Sequence, residues 1–322
     1  MPIIVPEGCS GDRLYSNLSE EAVPLLREEE AASRDIRPAR IGLLNLMPAE
    51  AMQATETQWL RWMGQSVLQI EPVLMKFDGD RREASGASRQ EILADYLPFS
   101  RVADAGLDGL VVTGDNQEIE KHEGFSSGKS PREFEDLMYE KQLREVVDWA
   151  RDNVGTTIYS CLGGHFALHH LYNLERKVDV DKKTFGVYRH DVVDEDSPFV
   201  RDMNSVIISP HSRWGNISVE EMERINELKV LAISQRVGWL LATSPNHAGG
   251  ADLFVQGHPE YFKRDLDAEY RRDRENGQEV PQSYYEEDDP AKPIEHSWRT
   301  DARALHGNVI AEIYERISRE DA

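Results

Sequence analysis

Cysteine is scarce in this chain. Among 322 residues only Cys9 and Cys161 occur, with no spacing that would build a zinc site or a disulfide framework, so no metal is expected and a reducing compartment fits. Long apolar runs are also missing. No window approaches the ~18 consecutive apolar residues of a membrane span, and the opening residues lack the basic head and apolar core of a secretory signal. The expectation is a soluble protein of the cytoplasm with no membrane partner. Positive charge is in deficit too: 37 Lys and Arg stand against 59 Asp and Glu, a net charge of −22. That balance argues against nucleic acid and leaves small molecules as the expected partners. The acidic clusters at Glu28, Glu29 and Glu30 and at Glu286, Glu287, Asp288 and Asp289 read as solvated surface. No internal repeat is present.

What the chain does have is alternation. Residues 1–38 read as an N-terminal arm with a charged helix around 20–33, and residues 39–322 as a single α/β domain. From Ala39 strand-like runs (41–46, 67–75, 107–113) alternate with helical stretches such as 55–63, which predicts βαβ units and a three-layer, mostly parallel sheet flanked by helices. Gly109 to Gly114 reads as a buried strand entering a tight turn, and 115–132 as a polar loop. Phe134, Leu137, Met138, Leu143, Val146, Val147 and Ala150 recur near helical spacing and predict a helix over 131–153. Further strands are expected at 205–209, 230–234, 238–242 and 253–257, and helices at 264–275 and 299–318. The last helix, with Leu305, Val309, Ile310, Ile313 and Ile317 on one stripe, either covers the core or packs between two copies in a homodimer. Residues 277–294 read as an extended excursion.

The chemistry centres on Cys161. The β-branched run Thr156-Thr157-Ile158-Tyr159-Ser160 ends at this cysteine, and Leu162-Gly163-Gly164-His165 begins a helix-like stretch. That is the layout of a nucleophile elbow, in which a strained turn lifts the sulfur out of the sheet above a helix N-terminus whose dipole attracts negative charge. The competing reading is a buried structural cysteine. His258 and Glu260 supply a base and its orienting carboxylate: the strand before them should end near Gly257, at the same sheet edge as Cys161. Pro210-His211-Ser212-Arg213-Trp214 and the pair Arg271-Arg272 are further polar clusters, and arginine's planar fork suits a substrate carboxylate.

These motifs occur together with Asn45-Leu46-Met47-Pro48, Thr55-Glu56-Thr57-Gln58-Trp59-Leu60-Arg61, Thr113-Gly114, Gly186-Val187-Tyr188, Gly257-His258-Pro259-Glu260-Tyr261 and Ser297-Trp298-Arg299, in that order along the chain. The ordered set resembles the homoserine O-succinyltransferase and O-acetyltransferase family of methionine biosynthesis, over nearly the whole chain. The resemblance implies a class I glutamine amidotransferase-like fold and a ping-pong acyl transfer with acyl-CoA as co-substrate and no bound cofactor. It implies Cys161 as the acyl-carrying nucleophile, His258 as base and Glu260 as its orienter. The oxyanion donors would be the Leu162 N–H and one at Gly114 or Asp115. Lys183, Ser212 and Arg272 would line the acceptor pocket. Acyl choice would lie at Glu118, whose carboxylate would repel a succinyl group and so favours acetyl.

Several positions depart from the family pattern. Asp115-Asn116 replaces an Ala-Pro pair before a longer loop, Leu162 a tryptophan, His165 a glutamine, and Ala49 and Glu50 a lysine pair. The alternatives are therefore acyl transfer to another small hydroxy amino acid such as serine, or a glutaminase, whose own signatures Cys161 to His165 and His258 to Glu260 also resemble.

Overall fold

The computed structural model describes residues 3–5, 16, 18–19, 23–33, 37–65, 68–80, 93–116, 119–121 and 129–320. Cys9 and Glu118 lie outside them. A twelve-stranded sheet organises the described chain. Its parallel part runs Ala251–Val255, Thr156–Ser160, Gly109–Val112, Ala39–Leu44, Ile70–Lys76, Ile3–Val5, Leu25–Arg27, and the short strand Leu97–Pro98 pairs with the far end of Ile70–Lys76. On the other flank Gly238–Pro245, Lys229–Ser234, Thr184–Val192 and Val206–Arg213 follow in antiparallel order.

The two faces of the sheet carry two cores, and the period-2 alternation of side chains along a strand explains why. Val111, Ile158, Leu253 and Val255 point to one face, under helices Ala49–Met63 and Arg299–Glu320. Leu110, Val112, Tyr159 and Phe254 point to the other, under Phe99–Ala105, Glu140–Asn153 and Leu162–Tyr172. Such strands are buried on both sides, so they read as continuous apolar runs. Leu305, Val309, Ile310, Ile313 and Ile317 of the last helix are all buried in the first core. Among the described residues no helix is long and apolar enough to cross a membrane.

Three local expectations change, and one strand appears that the sequence pattern does not predict. Among its described residues, 23–33, the charged segment holds a strand, Leu25–Arg27, before a five-residue helix, Glu28–Ala32; pairing with Ile3–Val5 keeps Leu25–Arg27 extended, and the glutamates and alanines after it are helical as their propensity favours. The polar loop after Gly114 contains a hairpin, Ile119–Lys121 with Lys129–Pro131. Thr184–Val192 is a nine-residue strand in which Arg189, His190 and Asp191 hide the apolar alternation. Val206–Arg213 runs through Pro210, which is tolerated because this strand is the last of the sheet and a missing N–H on an edge leaves no neighbour unpaired. The excursion 277–294 is anchored by Tyr284 and Tyr285, both buried with Trp298 against Phe185 and Val187.

Candidate active site

Three adjacent parallel strands end side by side, and each delivers one element of the site. Gly109–Val112 leads to Gly114, Thr156–Ser160 to Cys161, and Ala251–Val255 to His258. Carboxyl edges of such sheets are where ligand sites form.

Cys161 has φ 48° and ψ −115°, a conformation costly for a residue with a side chain and held only because its surroundings over-determine it. Its N–H donates to the Val255 carbonyl at 2.8 Å, and its own carbonyl accepts from the His165 N–H at 2.9 Å. Leu162 then opens the helix Leu162–Tyr172, so its N–H is one of the first-turn donors that no intrahelical carbonyl satisfies. Small residues are required around this turn. A Cβ on Gly163 would lie 2.5 Å from the Thr113 carbonyl oxygen, and one on Gly114 would lie 3.0 Å from the Cys161 Cβ and 3.7 Å from its Sγ. The Gly114 Cα therefore faces Cys161. The Asp115 carboxylate is turned to other partners, accepting from Tyr139 Oη at 2.5 Å and from the Asn116 N–H at 2.7 Å.

His258 is held from three sides. Its N–H donates to the Pro210 carbonyl at 2.8 Å, Nδ1 lies 2.7 Å from Glu260 Oε1, and Tyr261 stacks on the ring with centroids 4.3 Å apart. Nε2 makes no hydrogen bond of regular geometry within the protein, and the group that acts on it is the Cys161 sulfur. Burial works against a charge on this ring, but Glu260 and Cys161 outweigh it and hold the protonated form well above the ordinary histidine range. The glycine before His258 is also forced, because a Cβ on Gly257 would come 2.7 Å from Ser209 Oγ and 2.9 Å from the Pro210 carbonyl oxygen.

Of the three expected acceptor-pocket residues, two share one partner. Lys183 Nζ lies 3.0 Å and Ser212 Oγ 2.5 Å from Glu269 Oε2. Tyr261 Oη donates to Glu269 Oε1 at 2.8 Å. Arg272 stands apart, paired with Asp273 at 2.5 Å and largely exposed, though Arg272 and Lys183 line the same cleft of about 1060 Å³. Cys161, His258 and Glu260 are not among the cleft's lining residues; it abuts the site through Asn116 and Lys183. A buried chain joins the two as well: Gln256 Nε2 lies 3.0 Å from His165 Nε2 and 2.7 Å from Asn216 Oδ1, and Asn216 lines the cleft. His165 thus links the elbow helix to the cleft.

Glu269 is absent from the residues expected on sequence grounds, and Tyr261 has no role among them. The only available signal is spacing: Glu269 lies three residues before Arg272 and so shares its helical face. Among the described residues no three His, Cys, Asp or Glu side chains group to hold a metal ion.

Residues 2–319 match the family described as homoserine O-succinyltransferase. A homoserine O-acetyltransferase of Ruegeria pomeroyi is 37% identical over 317 residues, covering 98% of this chain and 94% of that protein. A homoserine O-acetyltransferase of Petrotoga mobilis is 36% identical over 96% of this chain and 94% of its own length. A homoserine O-succinyltransferase of Pseudoalteromonas atlantica is 34% identical with the same coverage, 96% and 94%. The crystal structure of a candidate GMP synthase component from Thermoplasma acidophilum superposes with a TM-score of 0.52 at 12% identity, covering 89% of this chain and 100% of that one. At that identity the likeness concerns fold alone, and it is the class I glutamine amidotransferase-like fold expected from the motifs.

Proposed function

Since the chain belongs to the homoserine O-succinyltransferase family and is an acyltransferase, we propose that it moves an acyl group from acyl-CoA to the side-chain hydroxyl of homoserine through a thioester on Cys161. The observation that carries this reading is a strained, nearly buried cysteine whose sulfur acts on a histidine that a carboxylate holds at 2.7 Å.

Glu260 and Cys161 both favour a proton on His258. The Cys161 sulfur attacks the thioester carbonyl, and the Leu162 N–H with the Gly114–Asp115 backbone receives the developing oxyanion. His258 gives its proton to the departing CoA sulfur and becomes neutral. Acylation also removes the negative neighbour that favoured the imidazolium, so the ring is now a base. It takes the proton of the acceptor hydroxyl, the alkoxide oxygen attacks the acyl-enzyme, and the collapse returns the sulfur and the protonated ring. Arg272 would take the acceptor carboxylate, with Lys183 and Ser212 beside it. The negative charge of Glu118 favours acetyl over succinyl.

Intact-mass spectrometry after separate exposure to acetyl-CoA and succinyl-CoA tests the reading. The expected result is an acetyl adduct on Cys161, absent in Cys161→Ala and discharged by homoserine faster than by serine. Glu118→Gly should raise the succinyl adduct. No adduct with either donor, or brisk ammonia release from glutamine, would overturn the proposal.

A further inference from the structure

Val206–Arg213 is the last strand of the sheet and is bonded along one side to Thr184–Val192. Along its other side the Ile208 N–H donates to Asp301 Oδ2 at 2.8 Å, and the Pro210 carbonyl accepts the His258 N–H at 2.8 Å. The backbone of the base therefore hangs on a carbonyl of an edge strand. That carbonyl shares one planar peptide unit with the His211 amide, so whatever fixes His211 also fixes the acceptor that holds His258.

His211 is fixed through its ring. His211 and His190 are both 0% exposed and Arg213 is 3% exposed. Arg213 Nε donates to His211 Nδ1 at 3.2 Å, and its terminal nitrogens donate to the Gly215 and Val237 carbonyls. His211 Nε2 lies 3.1 Å from His190 Nε2, the two rings are 25° from parallel, and Tyr188 stands edge-on to His211 at 5.8 Å.

The protons of this row follow from its donors. A guanidinium only donates, so His211 Nδ1 accepts and the proton of a neutral His211 is on Nε2. That proton is given to His190 Nε2, which must accept, and the His190 proton is then on Nδ1. One more proton on His190 Nε2 would set two donors face to face, and one on His211 Nδ1 would do the same against Arg213. Burial first, then Arg213, His190, His258 and His165, all act against a charge on His211. Burial also lowers the His190 pKa to about 4, so both rings are neutral at pH 7.

We propose that His211 is a positioning residue for the base: the row Arg213, His211 and His190, with both imidazoles neutral and in fixed tautomers, locks the Pro210–His211 peptide and through it the backbone of His258. His190 ends the row as its acceptor. The inference rests on the acyl-transfer reading for what the base does, while the histidine pair itself does not depend on that reading.

The test changes the far member of the row, His190, in the full chain. His190→Gln keeps an acceptor oxygen for the His211 N–H, and His190→Leu has none. Loading of Cys161 by whichever acyl-CoA loads wild type should slow by about tenfold or more in His190→Leu, the scale of a small misplacement at a reacting centre. The loss should fall on the maximal rate rather than on the half-saturating donor concentration, and His190→Gln should stay within about threefold of wild type. A merely structural role predicts a lower Tm with acylation unchanged. Wild-type acylation in His190→Leu, or equal slowing in both variants, would overturn the inference. NMR of the ring nitrogens in wild type carrying isotope-labelled histidine reads the pair without any substrate and without relying on a variant that folds. The expected result at pH 7 is two neutral rings, with the proton on Nε2 of His211 and on Nδ1 of His190. The opposite tautomers, or a charged ring, would bring down this inference alone. Absence of any wild-type acyl-enzyme would instead bring down the acyl-transfer reading, and the role of the base with it.

Discussion

The phenol ring of Tyr261 lies nearly parallel to the imidazole of His258, 21° between planes and 4.3 Å between centroids, and its hydroxyl is tied to Glu269 at 2.8 Å. The stack fixes the plane of the base; the hydroxyl fixes the stack. Tyr261→Phe keeps the ring and should lower kcat by less than about tenfold, whereas Tyr261→Ala frees the imidazole and should cost about 100-fold, the scale of a small misplacement at a reacting centre. Steady-state kinetics on the two variants checks this. Equal effects would show that the ring itself orients nothing.

Glu260→Gln leaves a hydrogen-bonding side chain but removes the charge that stabilises the His258 imidazolium. Loss of an orienting carboxylate in a comparable triad costs about 10⁴-fold in kcat, and a loss of about 10³-fold or more is expected here. The sign of the pH effect also follows. Glu260 helps hold the His258 proton above the ordinary range, so its removal should move the histidine's kinetic pKa downward in the profile of kcat/KM. An unmoved profile would argue that Glu260 does not act on this ring.

Two glycines near the sulfur should fail in different ways. Gly163→Ala drives a Cβ to 2.5 Å from the Thr113 carbonyl oxygen, a backbone atom that cannot move freely, so a loss of stability of about 1–3 kcal/mol is expected. Gly114→Ala meets the Cys161 Cβ at 3.0 Å. The neighbour there is the strained elbow itself, and acyl-enzyme formation should slow by about tenfold or more with a smaller change in Tm. Thermal denaturation alongside adduct kinetics separates the two.

His306 is a buried histidine, 3.0 Å from the Met63 carbonyl and edge-on to Trp62, with its pKa lowered to about 4 mainly by burial. Between pH 6.5 and 4 the unfolded chain binds a proton at this site that the folded chain refuses, so its contribution is present above about pH 6.5 and is lost as pH falls towards 4. Over that window one such group removes about 3 kcal/mol. Asp252 acts in the opposite sense. Burial raises its pKa to about 7, so the folded state holds its proton first and gains stability as pH falls from 7 towards 3.8. Asp252→Asn should therefore steepen acid unfolding and His306→Gln should flatten it, read from denaturant midpoints across pH 4–7. Parallel slopes in both variants would sink the assignment.

The fold class can be read from the chain because inner strands leave a mark: Leu110-Val111-Val112 is a short, fully apolar run, and Thr156 to Ser160 is short and rich in β-branched and aromatic residues. The edges are harder to read. Leu25–Arg27 at one edge is only three residues long, and Thr184–Val192, one strand in from the other edge, carries Arg189, His190 and Asp191, so their strand character comes from pairing partners rather than from their own pattern.

At the site the same division holds. Cys161, His258 and Glu260 can be named from the chain itself, since the elbow is a local event and the histidine and carboxylate sit two residues apart at one strand's end. Packing alone brings Gly114 against the sulfur and closes Lys183, Ser212 and Tyr261 around Glu269. Those residues are separated by up to 86 positions, and nothing in local sequence encodes a contact formed when distant strands and a helix pack against one another. Neighbouring residues carry the chemistry that backbone geometry imposes on them; the folded arrangement selects which charges meet, and with them which molecule that chemistry would serve.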